Sequence, residues 1–171
     1  MNHLSLHILQ TLHQEHLAIM SLLERLEDLL GQNGPDRAPA SDSGQIKGIL
    51  EELVNVMENE ISNHYAFEEG HLFPRFSQLA DAGIPMMLKG EHDAIRPLAK
   101  RITELARAAL AGGFTAETWR EFHSFGMELV EREVFHVQKE EMGFLPGLQH
   151  MLDPAEDPAL VAAYAAIKNG G

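Results

Sequence analysis

The stretch His64-Tyr-Ala-Phe-Glu-Glu-Gly-His-Leu-Phe-Pro74 decides how this chain is read, because it recurs as His136-Val-Gln-Lys-Glu-Glu-Met-Gly-Phe-Leu-Pro146. Both copies read H-x-x-x-E-E and both place a proline ten residues after the histidine. Four residues advance a helix by about 400°, so His64 and Glu68 face the same way one turn apart, as do His136 and Glu140. Upstream of each copy a shorter pair repeats, Glu15-His-Leu-Ala-Ile19 and Glu91-His-Asp-Ala-Ile95. One helical hairpin is therefore used twice, each time contributing one His and one His-x-x-x-Glu.

Working outward, apolar residues recur at steps of three and four in four long stretches, the spacing that builds one stripe on a helix. Leu9, Leu12, His16, Ile19, Leu23, Leu26 and Leu30 predict a first helix from Leu4 to Leu30. The Gly-, Pro-, Ser- and Asp-rich segment Gly31 to Gly44 reads as a solvated loop. A second helix is expected from Gln45 to Phe73, stopped or kinked by Pro74. The third spans Pro85 to Ala111 and ends at Gly112 and Gly113. Thr115 caps the fourth, which runs to Phe144 and is ended by Pro146. A short final helix is expected to start with Asp157 as cap and Pro158 at its first position, docking through Leu160, Val161, Tyr164 and Ile167. These elements predict an all-α, up-down four-helix bundle over residues 1–150, followed by a C-terminal extension, 151–171, with one docking helix.

Composition narrows the function. Thirteen Lys and Arg face twenty-six Asp and Glu, a net charge of −13, which repels phosphate backbones and anionic lipid and argues against nucleic-acid or membrane-surface partners. The absence of cysteine excludes disulfides, thiolate zinc sites, iron–sulfur clusters and cysteine nucleophiles. Neither a signal peptide nor a membrane span is recognisable, so the cytoplasm is the expected compartment and monomer and homodimer both stay open. Ten histidines are the unusual feature of the composition.

Four of them lie on apolar stripes. Met57 and Ile61 precede His64 on one face, and Leu129 precedes His136; His16 and His92 have Ile19 and Ile95 three residues on. Four inward imidazoles and two inward carboxylates cost several kcal/mol per unpartnered charge. A metal centre removes that objection. Six nitrogen and oxygen donors exceed a tetrahedral zinc site and favour a pair of metals. The donor types suit iron, with zinc, manganese and nickel as alternatives. A lone His-x-x-x-Glu is often only a surface ion pair; two matched copies, each preceded by Glu-His, are not explained that way.

The ordered motifs resemble those of the hemerythrin-like family of cation-binding domains, over Ser5 to Leu148. The resemblance implies a non-haem di-iron centre that binds or senses O2, NO, iron or redox state, with an enzymatic or iron-centre-repair role acting on O2, peroxide or NO as the alternative. It implies His16, His64, Glu68, His92, His136 and Glu140 as ligands and Glu68 and Glu140 as bridges. Two positions differ from the oxygen carriers: Arg96 stands where they have a second His on helix 3, and Glu141 where they have an Asp on helix 4. The doubled His-x-x-x-Glu is closer to iron-centre-repair and iron-sensing relatives, although the cysteine-bearing domain and additional helix 1 His of the repair proteins are missing from this sequence.

The remaining side chains are peripheral candidates. His13, one turn before His16, could add a ligand, and His71 could line the pocket or bond a helix end. His123 falls on the outer side. Glu69 and Glu141 point about 140° from their histidines and read as solvated or outer groups. Arg96 could pair with a carboxylate or an anion, and Tyr65 could donate to the site or simply pack.

Overall fold

A computed structural model describes residues 3–170, and among them there are five helices and no strand. Helix α1 is His7–Gln32. Helix α2 is continuous through the consecutive segments Gly44–Asn55, Val56–Ile61, Ser62–Phe67, Glu68–Leu72 and Phe73–Leu79. Helix α3 is Gly83–Gly112, and α4 runs through Ala116–Lys139, Glu140–Phe144 and Leu145–Met151. After a single 3-10 turn, Pro154–Glu156, comes the short α5, Asp157–Lys168. Helices α1 to α4 pack in chain order and α4 closes back on α1, giving the expected up-down bundle.

The two prolines do not end their helices. Helix α2 passes Pro74 and continues to Leu79, and α4 passes Pro146 and continues to Met151. In each case the preceding turn is widened to an i→i+5 pattern: the Phe73 N–H donates to the Glu68 carbonyl, and the Leu145 N–H to the Glu140 carbonyl. The proline follows immediately, as the second residue of the resumed α-helical segment, where its missing N–H is tolerated. Both widened turns begin at the glutamate of the repeated motif, Glu68 and Glu140, and such turns are frequent at functional sites.

Gly113 ends α3 as expected, at φ 83°, ψ 168°, a region essentially reserved for glycine. Thr115 caps α4 reciprocally with Thr118. Asp157 departs from the expectation: the local cap at the start of the C-terminal segment is Asp153, paired with Glu156. The Asp157 carboxylate instead accepts the His7 and Ile8 N–H groups at 2.8 and 3.0 Å, capping α1 from the far end of the chain. The α1 N-cap residue, Leu6, has no side chain able to do this. Tyr164 is buried, with Leu160 and Ile167 packed beside it, but Val161 faces solvent.

The core is split. One apolar cluster runs from Ile19 to Leu30 and includes Leu50, Ile102, Trp119 and Phe122. The other gathers Leu9, Leu12, Phe67, Phe76, Phe144 and Tyr164. Between them lies a belt of buried polar side chains. Removing the distant cap on α1 with Asp157→Ala should lower the urea-unfolding free energy by about 1 kcal/mol with the helical circular dichroism of the folded state unchanged.

Candidate metal centre

The polar belt contains all six side chains singled out by the repeat. His16, His64, Glu68, His92, His136 and Glu140 are each no more than 2% exposed, and the four helices bring them together. His16 Nε2 lies 2.9 Å from Glu140 Oε2, and His136 Nε2 lies 2.6 Å from Glu140 Oε1. Glu68 Oε1 is 3.3 Å from His64 Nε2 and 3.5 Å from His92 Nε2. Two groups of donor atoms are close enough for one ion each: Glu68, His92, His136 and Glu140 in one, His16, His64 and Glu140 in the other. Glu140 belongs to both.

These short approaches are not hydrogen bonds. All four oxygens of Glu68 and Glu140, and both ring nitrogens of His64, are buried without a hydrogen-bond partner. His92 Nε2 and His136 Nε2 face each other at 3.1 Å, although each ring already presents its Nδ1 to a carboxylate. With the ring protons on those Nδ1 atoms, two bare lone pairs are opposed, which is repulsive unless a proton or a metal ion lies between them. The donor set therefore fits a bound cation.

A second layer, for which the sequence offers Glu69 and Glu141 as solvated or outer groups and assigns Glu15 and Glu91 no role, surrounds the imidazoles. Glu141 accepts from His16 Nδ1 at 2.5 Å, Glu69 from His92 Nδ1 at 2.9 Å, and Glu91 from His136 Nδ1 at 2.8 Å. Glu15 faces His64 Nδ1 at 3.6 Å. Each helix thus presents a carboxylate to the histidine of the next, from α4 to α1, α1 to α2, α2 to α3 and α3 to α4. Each of these glutamates adjoins an inward residue in sequence, which explains why both Glu-His and Glu-Glu recur in the repeat. Carboxylates at Nδ1 fix the tautomer that leaves Nε2 free to bind metal.

The peripheral candidates now have places. Arg96 pairs with Glu69, and with Asp93 at 3.1 Å. His13 pairs with Glu141 at 2.8 Å and is not in either donor group. His71 is exposed and stacks on Phe67, whereas His123 bonds the Leu30 carbonyl at the end of α1. Tyr65 does both things considered for it: its ring stacks on His92, centroids 3.6 Å apart, and its hydroxyl donates to Glu133 at 2.6 Å. Glu133 is a buried carboxylate whose place in this layer went unassigned, although it lies three residues before His136 on the same face.

Charge follows geometry. Burial would push His16 and His136 down, but the carboxylates outweigh it: Glu140 and Glu141 raise His16 to about 9, and Glu140 with Glu133 and Glu68 raises His136 to about 10. Burial would raise Glu140, but the four imidazoles hold it well below the usual carboxylate range. Burial keeps the Glu133 carboxyl above that range.

A four-helix bundle with a buried cluster of histidines and glutamates defines a class of metal-binding proteins. The chain matches the hemerythrin HHE cation-binding domain over residues 7–148 and belongs to that family. A search of the curated proteins finds no match.

In the metal-free protein, protons take the place of a cation. The stability they contribute is fully present below about pH 6.5, the ordinary histidine value, and is lost as pH rises through 9 to 10. At the acid end, the contribution of Glu140 is lost as pH falls below the ordinary value of 4.5. The thermal midpoint of chelator-treated protein should therefore fall between pH 7 and 10, and metal-loaded protein should resist that fall. Parallel melts at pH 6, 8 and 10 test this, and identical profiles would overturn it.

Proposed function

We propose that the protein holds two iron ions, with His16, His64, Glu68, His92, His136 and Glu140 as ligands, and uses them to bind or sense O2 or NO, or to report iron or redox state. The observation that carries this reading is the pair of donor groups joined through Glu140. Mixed imidazole and carboxylate donors suit iron, while zinc and manganese are the competing occupants the test must separate. Iron in such a site supplies reversible redox chemistry and coordination of a diatomic ligand.

The residues around the donors support binding in a dry site. Phe73 and Tyr65 flank the His92 ring, and the two apolar clusters close the belt on either side. Arg96 and Glu141, which occupy the positions where the oxygen carriers have further donors, are engaged in the outer layer with Glu69 and His16. That leaves a smaller donor set than a carrier has, and favours sensing over bulk transport.

Protein purified without air and reconstituted with ferrous iron should hold roughly two irons per chain and change its visible spectrum on exposure to O2 or NO. Iron no higher than in a buffer control would sink the proposal. Uptake of zinc or manganese in place of iron would keep the centre and reject the iron assignment. Because Glu140 is common to both donor groups, Glu140→Ala should abolish binding of the pair. His64→Ala, which touches one group, should leave about one ion per chain; elemental analysis distinguishes the two outcomes.

A further inference from the structure

The outer layer is regular except at one point. Three of the four histidines donate Nδ1–H to a carboxylate at 2.5 to 2.9 Å, but His64 Nδ1 is buried with no hydrogen bond. Its carboxylate, Glu15, is present at 3.6 Å. Glu15 is engaged elsewhere: the Tyr164 hydroxyl, on the C-terminal helix α5, contacts both its oxygens, including Oε1, the one facing His64. Lys168, one turn further along α5, lies 3.4 Å from the other oxygen.

We propose that Tyr164 is a positioning residue that withholds Glu15 from His64, and that it thereby makes the His16, His64 and Glu140 half the weaker-binding half of the centre. An imidazole whose Nδ1–H meets a carboxylate is a more basic ligand held in a fixed orientation. His64 has Glu15 only at ion-pair range, 3.6 Å, without the hydrogen bond that the other three rings have. The C-terminal helix, outside the repeated hairpins, thus sets how tightly one of the two ions is held. The metal half of the proposal rests on the two-ion reading above; the positioning of His64 does not.

Tyr164→Phe removes the hydroxyl but keeps the ring that packs edge-on against Phe67, with centroids 4.7 Å apart. In the metal-free variant, the 15N resonances of the His64 ring should move as Nδ1–H gains Glu15, and the move should vanish in Glu15→Gln/Tyr164→Phe. In anaerobic ferrous-iron titrations, wild type should bind its second ion more weakly than its first, and Tyr164→Phe should tighten the second by about tenfold while leaving the first unchanged. A His64 resonance unmoved by Tyr164→Phe overturns the proposal whatever the metal data show. Equal affinities for the two ions in wild type, or a second ion no tighter in the variant, overturn its metal half. No iron uptake by wild type together with a shifted His64 resonance defeats the two-ion reading and leaves the positioning role of Tyr164 supported.

Discussion

Glu140 is a carboxylate with no exposed surface, placed between two apolar clusters and approached by imidazoles from all four helices. An ion so buried costs several kcal/mol unless it is partnered, and water cannot reach it. The groups that approach it come one from each helix: His16 from α1, His64 from α2, His92 from α3 and His136 from α4. The polar belt that divides the two apolar clusters is built around that group. Proton and metal ion are the two cations that can partner it, and they compete for the same nitrogens.

The outer carboxylates extend the same logic by one shell. Glu69, Glu91 and Glu141 each reach from their own helix to the histidine of the next and so tie those helices together, while Glu15 stands 3.6 Å from His64 Nδ1 without a hydrogen bond. Cations meet three of them in turn, Lys168 for Glu15, Arg96 and Lys89 for Glu69 and Lys139 for Glu91, while the His13 ring pairs with Glu141. Charge alternates outward from the centre, carboxylate to imidazole to carboxylate to cation. Most of these outermost pairs lie at the surface and add little stability individually. Their effect is to hold the glutamates, which hold the rings.

How far the sequence discloses this depends on how local each feature is. The six inward residues were legible because helical spacing and internal repetition are both local patterns, and the structure brings all six together. The outer glutamates were visible in the repeated Glu-His and Glu-Glu, but each acts on the neighbouring helix, and the pairing of faces across helices is not written in either strand of the repeat. Pro74 and Pro146 misled because proline is a helix breaker in an α register, and a widened turn just before each one changes that register. Asp157 misled for a different reason. Its neighbour Pro158 marks a helix start, while the N–H groups it satisfies belong to residues 7 and 8, at the opposite end of the chain.

The repeat gives both halves of the bundle the same motif, yet the surroundings of Glu15 and Glu91 differ. Glu91 keeps its bond to His136, and its cation, Lys139, comes from α4, the helix that carries His136 itself. Glu15 meets Tyr164 and Lys168, which belong to α5, a helix with no counterpart in the other half. The same helix α5 supplies the Asp157 cap on α1 and the two side chains that contact Glu15. A helix appended to only one hairpin is thus sufficient to make two halves built from the same motif chemically unequal. The duplicated core brings the six inward donors together, and the unduplicated tail contacts only one of the outer carboxylates, Glu15.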